Sequence, residues 1–373
     1  MRIAFVSASQ VPSTTANSIQ VVKVCQGFAQ LGHEVHLILP GQNGISWEEL
    51  AARYGLITPF AIHWIGTHPR WRRYDLAWKA LRQAQALQVD LVYTRLLQAG
   101  ALSLSRGLPA VIELHDRITG RIGPLLFRMC LRSRVKKRWL PITRALLRVL
   151  EKDFKLTFPP GGAVVSPDGV DLERFTALPG PAAARQQLGL PPMPTAVYTG
   201  SFYAGRGMEV LFALVQANPQ VSFVWVGGKP ADVALWQEKL ARAGLRNVVL
   251  TGFVPNTVIP TYLAAADILL MPYGRATATS SGGNTADYCS PLKMFEYMAA
   301  GRAILSSDLP VLHEVLNPTN AAFCQPEVVP NWIQVFSALM ADPERRAALA
   351  RQARQDANQY SWQVRAQRAL EGF

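Results

Sequence analysis

Residues 2–39 begin with Arg2-Ile-Ala-Phe-Val-Ser-Ala8, continue through Ser18-Ile-Gln-Val-Val-Lys-Val-Cys-Gln-Gly-Phe-Ala-Gln-Leu31, and resume as Glu34-Val-His-Leu-Ile-Leu39. The first and third runs are apolar and of strand length. In the middle run Val21, Val24, Phe28 and Leu31 recur on one face, the period of a helix. Ser18 is placed to cap that helix and Gly32 to end it in the left-handed conformation. Strand, helix, strand in so short a span is a β-α-β unit, in which the helix carries the chain back so that the second strand runs parallel to the first. A parallel sheet must bury both faces, so the class is α/β with helices on either side.

The same rhythm continues outward. Leu91–Thr94, Ala110–Leu114 and Ala163–Ser166 read as further strands. A stretch rich in proline, alanine and glycine over residues 177–195 breaks the pattern and predicts a domain boundary there. Strand signals resume at Ala196–Thr199 and recur at Ser222–Val226, Val248–Leu250, Ile268–Met271 and Ala303–Ser306. The second half is therefore a second Rossmann-like unit. The domains expected are 1–185 and 190–356. The Thr/Ser/Gly/Asn-rich stretch from Gly274 to Cys289 has no periodicity and reads as a surface loop, either a plain linker or an active-site lid.

The 373 residues, 49% of them hydrophobic and 17% charged, suit a folded protein of two domains. The net charge of +13 is uneven: residues 1–180 hold 23 Lys/Arg against 12 Asp/Glu, and residues 181–373 hold 15 against 13. The first half is thus drawn to something anionic, whether a membrane surface, an acidic substrate or nucleic acid. Cys25, Cys130, Cys289 and Cys324 have no paired spacing, which argues against a zinc site or a disulfide framework. No apolar run is long enough to span a bilayer, and a cytoplasmic protein is expected.

The segment most informative about chemistry is Ser290-Pro-Leu-Lys-Met-Phe-Glu-Tyr-Met-Ala-Ala-Gly301. Ser290 reads as a cap, Pro291 as the first helical residue, Leu292, Phe295 and Met298 as the apolar stripe, and Gly301 as the stop. The open amides at its start would seat a phosphate. Lys293 and Glu296 fall three apart, neighbours on one face, and read either as a solvated pair or as ligand contacts.

With GVDLERF at 169–175, GSFYAGRGMEVL at 200–211, LTGFVPNTVIPTYLAAADILLMPY at 250–273 and YSW at 360–362, this segment resembles the retaining glycosyltransferases of the GT-B fold, in particular glycosyltransferase family 4. The resemblance covers nearly the whole chain. It implies two Rossmann-like domains facing each other across a cleft, with a terminal helix within 357–373 crossing back to the first. It also implies a nucleotide-sugar co-substrate, UDP- or GDP-linked, and no metal or other cofactor. Glu296 would hold the ribose, while Arg206, Ser290, Pro291 and Leu292 would bind the diphosphate, with help from Lys293. A guanidinium and helix amides stabilise the charge that develops on a leaving diphosphate. Gly200 and Ser201 belong to the glycine loop, where the family usually carries a second basic residue and this chain has Ser201. Phe253 and Val254 would touch the base. Gly228, in the turn after Val226, is a further donor-side candidate. The family's motif pairs two glutamates eight positions apart, and the position eight before Glu296 is Tyr288, which leaves the contact to the donor sugar altered.

In the first half, Ala110-Val-Ile-Glu-Leu-His-Asp116 is an apolar strand ending in His115 and Asp116, and open α/β sheets bind ligands at such strand ends. The resemblance places His115 against the donor sugar, orienting it while the departing phosphate takes the acceptor's proton. Ser13, Thr15, Asn17 and Asp116 are acceptor-side candidates; Thr15, Ala16 and Asn17 replace the family's frequent double glycine. Residues 117–150 contain ten Lys/Arg and no Asp/Glu, interleaved with Leu125, Leu126, Phe127, Met129, Leu131, Val135 and Trp139. Mixed at helical spacing, these residues read either as a surface for anionic lipid headgroups or as a solvated helix packed on the core. The aromatic-basic cluster from His68 to Tyr74 adds to this face. The acceptor expected is lipid-linked or a glycan. No standard DNA- or RNA-binding motif is present, so nucleic acid is not expected. The rival readings are a sugar-nucleotide epimerase, for which no acid–base carboxylate pair is evident, and a catalytically silent nucleotide-sugar-binding or membrane scaffold.

Overall fold

The β-α-β opening forms as read, as β1 (Arg2–Val6), α1 (Ala16–Gln30) and β2 (Glu34–Pro40). It begins the first of two units in the computed structural model, which describes residues 1–41, 44–71, 73–276 and 285–373. This unit comprises Met1–Gly169 with Trp362–Phe373; the other is Val170–Ser361.

The first unit continues with α2 (Trp47–Tyr54), β3 (Ala61–Ile65), α3 (Tyr74–Ala86), β4 (Leu91–Thr94), α4 (Leu97–Ser105), β5 (Ala110–Leu114), α5 (Gly123–Arg132), β6 (Lys137–Pro141) and α6 (Arg144–Phe154). Its strands are all parallel, in the order β3-β2-β1-β4-β5-β6. Ile3 pairs with Val35 on one side and Leu91 on the other. Buried on both faces, the central strands need the unbroken apolar runs that made them legible.

The second unit holds α7 (Pro181–Gln187), β7 (Thr195–Thr199), α8 (Met208–Ala217), β8 (Ser222–Val226), α9 (Pro230–Arg242), β9 (Val248–Gly252), α10 (Ile259–Ala264), β10 (Ile268–Met271), α11 (Leu292–Ala300), β11 (Ala303–Ser307), β12 (Ala322–Cys324), α12 (Val329–Ala341) and α13 (Pro343–Asp356). Its sheet order, β12-β11-β10-β7-β8-β9, is the same doubly wound pattern. Its core is aromatic: Trp225 meets Trp236 edge-on at 5.7 Å, and Phe223 stacks on Phe336 at 5.7 Å. The proline-rich stretch packs here, with Ala184 against Ala264 and Ala265 and the Arg185 guanidinium on Asp267.

The last helix, α14 (Trp362–Leu370), packs on α1 within the first unit. Gly27 makes this contact possible, since a Cβ there would lie 2.6 Å from the Trp362 carbonyl oxygen. Trp362, Ala366 and Ala369 fill the joint, and with them Arg365 is drawn inside, 4% exposed.

Several local expectations are corrected. Thr15, not Ser18, caps α1, its hydroxyl accepting from Ser18 N; Ser18 is buried and donates to the Ser13 and Thr15 carbonyls. Ala163–Ser166 bonds β6 only through an isolated bridge at Ala163 and a Ser166 N–Pro141 O bond, because Pro167 ends the run. Pro291 is the cap of α11 rather than its first residue, and Leu292 begins the helix. Residues 117–150 are not one helical face: β6 runs through them and buries Trp139, whose ring packs on Phe127 at 4.6 Å. Strands β3, β6 and β12 had no clear sequence signal: β3 is an edge strand with none of its residues fully buried, β12 is an edge strand of three residues, and β6 opens on two cations.

Candidate functional site

In a doubly wound sheet the crevice opens where strand order reverses, beyond the carboxyl ends of the strands. In the second unit that point lies between β7 and β10. Gly207, the cap of α8, sits here with φ 70°; a Cβ would fall 1.8 Å from the Pro272 carbonyl oxygen, so only glycine lets the loop after β7 cross beneath the end of β10. Tyr297 of α11 accepts a hydrogen bond from Thr199 N at 2.9 Å and donates to Leu270 O at 3.3 Å. This buried phenol ties α11 to both strands flanking the crevice.

Two cations gather at the crevice. The Arg206 guanidinium lies 4.9 Å from the Tyr203 ring centre and 5.0 Å from that of Tyr273, and donates to the Tyr203 hydroxyl at 2.6 Å. Lys293 Nζ lies 4.0 Å above the Tyr198 ring and 5.4 Å from Tyr273, against Gly200. Tyr273 thus serves both cations. Arg206 Nε is buried with no acceptor among the described residues. Burial pushes the Lys293 ammonium pKa well below its ordinary value, Arg206 pushes it further, and Glu296 opposes them. Two cations held by π faces, with a donor left unspent, make a receptor for an anion.

The remaining expected donor-side residues surround this pair or lie beside it. Gly200 follows β7 and its N–H donates to Val226 O at 2.8 Å; Ser201 comes next, its carbonyl accepting from the Tyr198 hydroxyl. Gly228 lies under the Phe202 ring. Phe253 is 57% exposed beyond β9, with Val254 half-buried beside it. Tyr288 is buried, while Ser290, Pro291, Leu292 and Glu296 are half-buried at and just after the start of α11. Half of the expected lid, residues 277–284, lies outside the described residues.

In the first unit His115 follows β5 and bonds the Glu113 carboxylate two residues back on the same side of the strand. Glu113 is 1% exposed, yet receives hydrogen bonds from Gln20 Nε2 at 2.6 Å and from the Tyr93 hydroxyl, and pairs with Arg365 of α14 at 2.9 Å. Burial alone would raise its pKa; Arg365, His115 and Arg95 outweigh it and hold the carboxyl well below the usual range. His115 is pushed down to about 4, first by burial and then by Arg95, against the pull of Glu113, so its imidazole is neutral at physiological pH. Gln20 also accepts from Arg95 at 3.1 Å, and Arg95 bonds Asn17, so a polar chain joins Asn17 to His115.

Of the acceptor-side candidates, then, Asn17 is tied to His115 through this chain. Ser13 and Thr15 bond one another at 2.9 Å, with Ser13 N on the Tyr54 hydroxyl. Asp116 is exposed and accepts from Arg117 N. Glu113, Gln20, Tyr93, Arg95 and Arg365 were not anticipated. Glu113 did carry a signal, as the single charge inside an apolar strand. Arg365, 252 positions away in sequence, carried none.

Glu113, His115 and Asp168 bring ligand-type atoms within 4.8 Å of one another. The set does not fit a divalent cation, because the Arg365 guanidinium already pairs with Glu113 and Arg95 adds a second positive charge. Nor can Glu113, enclosed and saturated with donors, reach a substrate as a nucleophile.

Two family models match the chain: Glycosyltransferase Family 4 over residues 18–174 and Glycosyl transferases group 1 over residues 193–342. The D-inositol 3-phosphate glycosyltransferase of Xylanimonas cellulosilytica is 29% identical over 221 residues, 56% of this chain and 50% of the relative. The phosphatidyl-myo-inositol mannosyltransferase of Mycolicibacterium smegmatis is 23% identical over 92% of this chain and 86% of the relative. The chain therefore spans only half the length of the former. Among solved structures, Anabaena Alr3699/HepE in complex with UDP-glucose superposes with a TM-score of 0.74 at 19% identity, covering 100% of this chain and 98% of that one. The fold is that of the GT-B glycosyltransferases, and the chain matches a Glycosyltransferase Family 4 domain in its first half and a Glycosyl transferases group 1 domain in its second.

Proposed function

We propose that the chain transfers a hexose from a UDP- or GDP-sugar to a lipid-linked or glycan acceptor, with retention of anomeric configuration. The observation that carries this reading is the Arg206–Lys293 pair on its tyrosine faces, beside the start of α11 and at the strand-order reversal. A diphosphate seated there gains both cations and the spare Arg206 N–H. Glu296 holds the ribose, and Phe253 and Val254 meet the base. His115 orients the transferred sugar. With Glu113 unable to attack, retention proceeds by front-face displacement: the bond from sugar to leaving phosphate breaks, the acceptor oxygen forms the new bond on the same face, and the phosphate takes the acceptor's proton. The relatives named for D-inositol 3-phosphate and for phosphatidyl-myo-inositol, and the neighbour solved with UDP-glucose, support a nucleotide-sugar donor and a polar or lipid-borne acceptor.

A thermal-shift panel with UDP, GDP, ADP and their sugar conjugates tests this, because a ligand that binds only the native state raises the melting temperature. The expected result is a shift with one base only, lost in Glu296→Ala. No shift with any nucleotide would favour the silent scaffold.

The acceptor side of the reading draws on α5. Ile122, Leu125 and Met129 are 48%, 58% and 49% exposed at helical spacing, and Arg121, Arg128 and Arg132 are exposed alongside them. A helix with this exposed face lies on an anionic membrane surface, with its arginines at the headgroups. α4 packs between α3 and α5, so exposed Trp78 and its stacked Arg82 share that layer. At about 1 kcal/mol per basic residue, Arg128→Glu with Arg132→Glu is expected to weaken binding to phosphatidylglycerol vesicles at least about tenfold, with the melting temperature unchanged. Equal vesicle binding by the variant would remove the membrane from the reading.

A further inference from the structure

Among the described residues, the polar atoms that meet the Glu113 carboxylate are all donors: Gln20 Nε2, the Tyr93 hydroxyl, His115 Nε2 and Arg365 Nη2. An ionised carboxylate can only accept, so the shared proton sits on His115 Nε2, and in a neutral imidazole the other nitrogen is then bare. Arg365 pairs with the same carboxylate oxygen, Oε1, that His115 meets. Its Nε donates to Pro167 O at 2.9 Å and its Nη1 to the Tyr93 hydroxyl at 2.9 Å, so the guanidinium is anchored independently of Glu113. Arg365 is itself held by the close packing of Gly27 against Trp362. The last helix of the chain therefore reaches the imidazole through a single carboxylate.

We propose that Glu113 and Arg365 are positioning residues that lock His115 as the Nε2–H tautomer, leaving Nδ1 as a hydrogen-bond acceptor for a hydroxyl of the bound sugar. The proposal rests on the assignment of His115 to the transferred sugar. It adds that His115 reads the sugar as an acceptor and not as a donor, so the ligand must present an O–H there, and a deoxy or O-methyl group at that position is rejected. A site built to pair a substrate hydroxyl discriminates strongly against an analogue without it, because its own polar atom is left unpaired. The His115 side chain keeps about a fifth of its surface accessible, whereas the Glu113 side chain keeps none.

The lock is tested without turnover by nitrogen-15 NMR of the full chain labelled at histidine, with the His115 signals identified by their loss in His115→Ala. At neutral pH the expected signals are a protonated Nε2 and an unprotonated Nδ1. In Glu113→Gln the amide offers its NH2 as well as an oxygen, and the tautomer is expected to become mixed or to invert. Glu113→Gln should lower kcat on the order of tenfold or more, as removal of supporting partners does, with KM for the nucleotide-sugar within about twofold. Arg365→Met should move the acid limb of the rate profile to higher pH, because Arg365 is among the cations disfavouring protonation of His115; Arg365→Lys should restore it. The other groups facing the imidazole network, Tyr93, Arg95 and Asp168, remain in both variants. If either substitution prevents folding, the wild-type spectrum still decides. An Nδ1–H tautomer or an imidazolium at neutral pH overturns the proposal. A locked Nε2–H tautomer together with undiminished transfer by His115→Ala overturns instead the assignment of His115 to the sugar.

Discussion

Arg206→Ala is expected to lower kcat/KM for the nucleotide-sugar by on the order of 10² to 10³-fold, the cost of removing one preorganised group from the site where charge develops. Breaking the bond to the sugar leaves negative charge on the diphosphate, and Arg206 meets it already oriented. Tyr203 and Tyr273 fix the guanidinium plane, the Tyr203 hydroxyl takes one N–H, and Nε–H has no acceptor among the described residues. Arg206→Lys should recover little, because an ammonium can neither stack between the two rings nor present a fork of donors. Initial rates at varied donor concentration, with the affinity for the free nucleotide diphosphate measured separately, decide the matter. If both variants stay within a few-fold of wild type, the diphosphate is bound elsewhere.

His115→Ala should lower kcat about 100-fold, the scale set by losing orientation of a reacting group, while nucleotide affinity stays within about twofold. The contrast follows from location: His115 directly follows a strand of the first unit, whereas the cations that would bind the diphosphate belong to the second. The same residue gives a stability test in which the sign is fixed. Unfolded His115 titrates near its ordinary 6.5, whereas the folded residue is pushed down to about 4 by burial and by Arg95. Between these values the unfolded chain binds the extra proton, so the native state loses stability as pH falls from about 6.5 towards 4. Denaturant midpoints measured across that range should decline less steeply in His115→Ala. An unchanged slope would mean that the histidine titrates alike in both states. A nucleotide affinity that falls in step with kcat would place His115 in nucleotide binding instead.

Legibility followed the range of the forces involved. Strands such as Leu91–Thr94 and Ala110–Leu114 were read to the residue because burial on both faces demands an unbroken apolar run, and that demand is written locally. Caps were read one to three residues off, at Ser18 for Thr15 and Ser290 for Pro291, since several neighbouring side chains could each end a helix. The basic stretch misled: its spacing suggested one surface, but β6 carries Trp139 into the core and leaves only α5 with an exposed apolar stripe.

By itself the sequence determined the alternation of strand and helix, the two Rossmann-like halves, and the cations and glutamate of the SPLKMFEYMAAG segment, because each depends on residues within a turn or two of one another. Only the tertiary structure decided which of these groups share a site. Arg206 and Lys293 lie 87 positions apart and meet over Tyr273 because β7 and β10 are neighbours in the sheet. Arg365 reaches Glu113 across 252 positions because Gly27 admits the last helix against α1. Neither pairing has a local signature, since a charge buried in a core is tolerated only once its partner has been brought to it by the packing of everything else.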